Sequence, residues 1–426
     1  GSWLHCGYHL TTSIVAPPLL SLPFAFASLG WSGGIICLVV GAAVSFYSYN
    51  LISRVLEHHA QLGRRQLRFR DMAMDILGPG WGRYYVGPIQ LSVCLGAVVA
   101  CTLLAGQSMK AMHLIANPGG TIELYVFVVI FGVFMMILAQ LPSFHSLRHL
   151  NLVSLLLCLA FSFCTVAGCI YLGTSDRAAP KDYSFSGDGQ DRLFGVFNAI
   201  AIIATTYGNG IIPEIQATAA PPVTGKMFKG LCLCYTVVIT TFFSVAISGY
   251  WAFGNQAQGT ILSNFMIGAG GNNNKQAAIP KWLLLVTHLF TLLQLSAVTV
   301  VYLQPTNEVL ERLFSDPRKE QYAARNVAPR LVSRTAAVAV ATAVAAMLPF
   351  FGDLNALIGA FGFMPLDFAI PALLYNATFK PSKTRPLFWV NAAIAVAFSA
   401  LAVMASVAAV RQIALDANTY KLFANV

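Results

Sequence analysis

Charge is what this chain has least of: only 10% of its 426 residues are Asp, Glu, Lys or Arg, against roughly 25% in soluble domains. With 57% hydrophobic residues and a mean hydropathy of +0.68, that scarcity excludes a soluble globular protein. No polar stretch is long enough for a separate soluble domain, so residues 1–426 read as a single transmembrane domain. Signatures of chemistry are missing as well. There is no His-Glu-x-x-His, no paired Cys-x-x-Cys and no phosphate-cradling glycine–lysine loop. These absences argue against a metalloenzyme and a nucleotide-driven pump. No catalytic residue, metal or cofactor is expected. All nine cysteines lie in apolar segments, none sharing a polar loop with another, and read as small packing residues.

What is there is a series of apolar segments of membrane-crossing length, about 20 residues each. They fall near residues 3–28, 33–56, 84–112, 123–141, 151–173, 191–218, 228–253, 281–309, 331–350, 353–376 and 386–412, which predicts an all-α membrane protein of eleven transmembrane helices. The first is a poor signal peptide because it carries Pro17, Pro18 and Pro23 and runs directly into the next. With the N-terminus in the cytoplasm and the C-terminus outside, the inner loops collect most of the basic residues. Arg54, Arg64, Arg65, Arg68, Arg70 and Arg83 crowd one loop, and Arg312, Arg318, Lys319, Arg325, Arg330 and Arg334 another. Lys110, Arg177, Lys181, Arg192, Lys275, Lys281, Arg411 and Lys421 fall outside, the asymmetry of the positive-inside rule. The net charge of +10 therefore needs no nucleic acid to explain it.

Two of these segments are interrupted at mid-depth. In helix 6, Ile203–Ala220, Tyr207-Gly208-Asn209-Gly210 is followed by Pro213 and Glu214. Glycines favour unwound backbone, proline removes a donor, and a carboxyl in hydrocarbon is costly unless it faces protein or water. In helix 1, Pro17 and Pro18 stand near the middle of the span. Broken backbone inside a bilayer reads as a binding site. The breaks are five spans apart, and an odd spacing makes the second copy of a five-helix unit cross in the opposite direction. The pattern is that of an inverted repeat, helices 1–5 over about 3–173 and helices 6–10 over about 191–376, with helix 11 added over about 386–412. Half-helices that begin at a break offer amides and a positive dipole end to a carboxylate, and those that end there offer carbonyls to an ammonium. A small zwitterion is the expected substrate.

Ser13–Ala25 (SIVAPPLLSLPFA), Arg68–Ala73 (RFRDMA), Trp81–Gln90 (WGRYYVGPIQ), Pro142–Leu150 (PSFHSLRHL), Asn198–Thr218 (NAIAIIATTYGNGIIPEIQAT), Gly249–Gly254 (GYWAFG) and Phe361–Phe368 (FGFMPLDF) are spread over essentially the whole chain. In these stretches the sequence resembles the plant GABA transporters of the amino acid/auxin permease family, within the amino acid-polyamine-organocation superfamily. The resemblance implies a leucine-transporter-type fold with helices 1 and 6 unwound in the membrane. It implies proton-driven symport of 4-aminobutyrate into the cytosol by alternating access, and a plasma-membrane location. The alternative is a broader amino acid, proline or auxin-like carboxylate permease of the same fold, with sodium as rival coupling ion at Ser296, Thr299 and helix 1 carbonyls. Many members of the wider family carry glycines where this chain has Ala16, Pro17 and Pro18, so contacts to α-amino acids do not transfer residue by residue.

Candidate substrate contacts are the helix 1 backbone at Ser13, Ile14, Val15, Ala16, Pro17 and Leu19, and the helix 6 break at Thr206, Tyr207, Gly208 and Asn209. Gln90 and Cys94 on helix 3 and Gln294 and Ser296 on helix 8 join them, because these helices flank the broken pair in this fold. The competing reading for the break is a packed glycine–proline kink, and for the polar flank ordinary interhelical hydrogen bonding. Glu214 is the candidate for ion coupling or gating: a carboxyl without a cation partner in hydrocarbon favours its neutral, protonated form. Its alternative is a structural carboxyl that caps amides at the break. A channel would need a continuous polar stripe, whereas polar residues cluster at mid-depth in helices 1, 3, 6 and 8. The expected partners are the substrate and the lipid bilayer, and the expected state is a monomer.

Overall fold

The computed structural model describes residues 3–140, 148–175, 181–184, 188–219, 225–266, 279–314, 324–419 and 423. Arg177, Lys275, Arg318, Lys319 and Lys421, counted above for orientation, and most of the Pro142–Leu150 motif lie outside them. The described chain is helical. In order it forms α1 (Trp3–Ile14), a 3-10 turn (Pro17–Ser21), α2 (Leu22–Gln61), α3 (Phe69–Leu77), α4 (Pro79–Trp81), a π-helical turn (Gly82–Val86), α5 (Gly87–Ala116) and α6 (Leu124–Leu138). There follow α7 (Arg148–Thr174), α8 (Gly189–Tyr207), α9 (Ile212–Ala217), α10 (Lys226–Phe253), a 3-10 turn (Gly254–Gln256), α11 (Ile261–Met266), α12 (Lys281–Phe314) and α13 (Ala324–Met347). The last elements are α14 (Phe351–Ile358), a π-helical stretch (Gly359–Ala369), α15 (Ile370–Phe379) and α16 (Pro386–Thr419).

Length and composition alone qualify 9 described helical stretches as membrane spans, with Leu124–Leu138 apolar but shorter. Against the eleven expected segments stand these 9 stretches and the shorter helix; one stretch, Pro17–Gln61, holds the end of the first expected segment and all of the second. The two meet at Gly30, whose φ of 68° and ψ of 179° leave helical space in a single residue. Glycine alone takes that turn without strain, so no polar loop separates the spans. The basic loop after α2 contains α3, a short helix closed by Gly78.

The two broken spans run antiparallel. α1, before the first break, touches α9, after the second; the 3-10 turn after the first break touches α8, before the second. Both sit in the protein interior. In the most apolar window of the broken stretch Gly189–Ala217, as in that of Phe351–Phe379, 78% of the residues are buried against 28% for Pro386–Asp416, and α1 is buried from His9 to Ile14, so α16 lies at the periphery while the broken helices form the centre. Hydroxyls inside the spans mostly return to their own helix, as Thr11 Oγ1 does to the Gly7 carbonyl (2.8 Å) and Thr299 Oγ1 to Leu295 (2.7 Å). Such bonds satisfy a polar side chain without a partner from outside the helix.

Candidate functional site

The first break leaves carbonyls and consumes its donors. Pro17 and Pro18 have no N–H, the Val15 amide donates to the Thr11 carbonyl (2.8 Å), that of Ala16 to Ile14 (2.8 Å) and that of Leu19 to Ala16 (3.2 Å). Donors from other helices meet the carbonyls: the Tyr302 hydroxyl donates to Ser13 O (3.0 Å) and Gln294 Nε2 to Val15 O (3.3 Å). Gln294 is itself held by the Ser154 hydroxyl, which donates to its Oε1 (2.8 Å).

The second break does the reverse. α8 ends at Tyr207, Gly208 is extended (φ −65°, ψ 147°), and Gly210 has a φ of 66°, which favours glycine. The exposed groups are amides, and acceptors meet them. The Asn209 N–H donates to Asp367 Oδ2 (2.7 Å), the Gly210 N–H to both Asp367 oxygens (3.1 and 3.0 Å), and the Ile211 N–H to Asn209 Oδ1 (3.0 Å). Asn209 Nδ2 then ties the two breaks together by donating to Ser13 Oγ at 2.5 Å. Asp367 is fully buried on the π-helical stretch, which carries Pro365 and thus lacks a regular ladder. Such widened turns recur at functional sites because they re-aim side chains.

Between the breaks lies a cavity of about 20 Å³, room for about one water molecule. Ser13, Ala16, Pro17 and Pro18 form one wall and Thr205 and Gly208 the other; Ala97, Ala100 and Cys101 of α5 and Val298 and Tyr302 of α12 close the sides. Phe351, Asn355, Ile358 and Phe363 complete it, so no lining residue carries a formal charge. Hydrogen bonds bridge the helices on both sides of the chamber. Toward α3, the Glu214 carboxylate accepts from Gln90 Nε2 (2.7 Å) and the Phe69 amide (3.3 Å), while Gln90 also donates to Gly210 O (3.0 Å). Beside this latch Arg68 pairs with Glu308 of α12. On the opposite face Ser21 Oγ donates to Gly259 O (2.6 Å) and Asn355 Nδ2 to Ser21 Oγ (3.2 Å).

Of the residues singled out from sequence, Ser13, Ala16, Pro17 and Gly208 line the cavity, and Asn209 reaches it through Ser13. Gln294 supports Val15 from behind. Ile14, Leu19 and Cys94 are buried beside the site but do not line it. Thr206 donates to the Ile202 carbonyl of its own helix (2.8 Å), and Tyr207 points to α2, where its hydroxyl donates to Leu38 O (2.9 Å). Ser296 is half-buried with its hydroxyl on Leu292 O (3.0 Å), so it turns away from the cavity. Gln90 and Glu214 belong to the latch. Among the described residues no cluster could hold a metal.

Sequence reasoning missed Asp367, Tyr302, Asn355 and Phe363. For Asp367 a signal existed: an acidic residue within an apolar span is a functional candidate by itself. For the others no local signal existed, since a tyrosine, an asparagine and a phenylalanine in apolar helices point to the site only once the helices are packed.

The family described as transmembrane amino acid transporter protein matches residues 1–412. GABA transporter 1 of Arabidopsis thaliana is 62% identical over 426 residues, covering 100% of this chain and 94% of the relative. Lysine histidine transporter-like 1 of the same plant is 28% identical over 430 residues, covering 99% of this chain and 90% of the relative. Among solved structures, a Na+-coupled sialic acid symporter in a substrate-bound outward-open state superposes with a TM-score of 0.55 at 11% identity, covering 100% of this chain and 92% of that one. At that identity the likeness concerns the fold alone, the leucine-transporter-type arrangement with two broken helices.

Proposed function

Because the chain belongs to the transmembrane amino acid transporter family, we propose that this multi-pass membrane protein carries 4-aminobutyrate and related zwitterions into the cytosol by proton-coupled symport. The observation that carries the substrate assignment is 62% identity along the whole chain to a protein named GABA transporter 1. The site supports it: an uncharged chamber between two backbone breaks recognises carboxylate and amine through dipoles, and its small apolar walls at Ala97, Ala100 and Val298 suit a methylene chain. The Ala16–Pro18 floor differs from a glycine-rich one in offering carbonyls without donors, which favours the ammonium end there.

The chamber is in an occluded state in this reading, and transport opens its faces alternately as helices 1–5 and 6–10 rock against each other. Glu214 serves as the inner gate, because its carboxylate joins α9 to α5 and to the first residue of α3. The positive-inside distribution supports a cytosolic side for that face and an outer side for the C-terminus, and the plasma membrane is the proposed location.

Labelled GABA uptake into proteoliposomes, with pH and sodium gradients imposed separately, tests the reading. Accumulation driven by the pH gradient alone is expected; accumulation that follows only sodium overturns the coupling, and indifference to GABA overturns the substrate. Competition by proline, betaine, other amino acids and auxin-like carboxylates then ranks the substrate range. A Glu214→Gln protein is expected to leak substrate inward while keeping its pH dependence; a lost pH dependence would assign it the proton instead.

A further inference from the structure

An anion already occupies the amide cradle that a substrate carboxylate would use. Asp367 takes the N–H groups of Asn209 and Gly210 on its two oxygens, and the next amide, that of Ile211, is held by Asn209 Oδ1. The first break has no spare donor to offer in exchange, because its prolines lack one and the Val15, Ala16 and Leu19 amides are bonded to carbonyls. A carboxylate entering the chamber thus finds its best donors one and two residues beyond Gly208, a wall residue, and finds them filled from within the protein.

We propose that Asp367 is an internal stand-in for the substrate carboxylate and the coupling residue of transport, exchanging places with that carboxylate when it takes up a proton. This rests on the proton-coupled reading above. Ionised, Asp367 accepts from both amides and the cradle is closed to a second anion. Protonated at one oxygen, it is a poor acceptor for two donors, and the amides turn to the substrate carboxylate, which is held as an ion. One proton enters with one zwitterion, so the site gains one positive charge: at the cradle a neutral acid beside a bound carboxylate replaces a carboxylate bound alone, and the substrate ammonium adds its charge at the other break. On release inward the substrate leaves the amides, Asp367 loses its proton to the cytosol and recaptures them, and the empty carrier returns with its cradle closed. The titratable side chains that feel the Asp367 charge are Tyr49 on α2, Cys94 on α5, Tyr235 on α10 and Tyr302 on α12. It forms no ion pair with arginine or lysine among the described residues, so protonation leaves no cation stranded.

The test is proton uptake on substrate binding, read with a pH dye in lightly buffered nanodiscs holding the full chain, alongside labelled GABA binding at stepped pH. The wild type is expected to take up about one proton per GABA bound, with affinity weakening about tenfold per unit as pH rises past the Asp367 transition. Butylamine, which has the amine and chain without the carboxylate, is expected to draw no proton. Asp367→Asn is expected to bind GABA with a flat pH profile and no proton uptake, and to exchange GABA across a vesicle without accumulating it on a pH gradient. Glu214→Gln is expected to keep the proton uptake. An Asp367→Asn carrier that still takes up the proton and accumulates GABA as the wild type does would overturn the proposal. If that variant is not monodisperse, Asp367→Glu decides: its longer carboxyl is expected to displace the pH profile, and an unshifted profile overturns the proposal. A wild type that neither binds GABA nor responds to a pH gradient refutes the symport reading itself, a result distinct from a coupled wild type matched by a coupled variant.

Discussion

The break at Val15–Pro18 and the break at Gly208–Ile211 face each other across one small chamber, yet they leave opposite groups exposed. Prolines build the first, which therefore has carbonyls but no donors, and side-chain donors from α12, Tyr302 and Gln294, complete it. Glycines build the second, which has amides, and acceptors complete it: the Asp367 carboxylate and the Asn209 side chain. A carbonyl cap of neutral hydroxyl and amide groups does not change with pH in the working range. A carboxylate cap does, through its proton. The pair thus divides into a fixed floor suited to an ammonium and a switchable cradle suited to a carboxylate, an asymmetry that a symmetric inverted repeat would not itself require.

Removing the acceptor from the second break is the strongest way to break that comparison. Asp367→Ala orphans two buried amides at about 1–3 kcal/mol each, and is expected to lower thermal stability in detergent and abolish labelled GABA uptake. Unchanged melting and uptake would mean that the amides have another partner. Reversing the sign at the first break comes next: Gln294→Glu sets a carboxylate against the Val15 carbonyl, and uptake is expected to fall about tenfold, the kinetic equivalent of about 1.4 kcal/mol. If uptake at any pH equals the wild type, the first break does not depend on donors.

Smaller changes sharpen the contrast. Tyr302→Phe removes one hydrogen bond to Ser13 O, worth about 1 kcal/mol, and should raise KM a few-fold with an unchanged pH profile. A shifted profile would place Tyr302 in the switchable half. Ser296→Ala should alter stability by less than about 0.5 kcal/mol and leave uptake intact, since its hydroxyl bonds within α12. A large loss of uptake would revive an ion site between helices 1 and 8.

The first break was legible because proline and glycine act locally, on the backbone of the residue that carries them. Glu214 was legible as an acid beside those markers. Asp367 was not connected to the break, because 157 residues separate it from Gly210 and only the packing of the π-helical stretch against α8 brings them together. Tyr302 lies 289 residues from Ser13 and is equally silent in sequence. The span boundaries show the same division. The join between the first two spans is one glycine, so hydropathy marks both spans, while the chain turns between them on a single backbone angle.

Composition by itself determined that this chain lives in a membrane, since too little charge is present to cover a water-facing surface, and the placement of proline and glycine determined which two spans break. Tertiary structure alone decided what caps each break, because a buried amide or carbonyl must find a partner wherever packing supplies one. Those partners come from helices far away in the chain, and their chemistry, neutral donors on one side and a carboxylate on the other, sets what the site can hold and when.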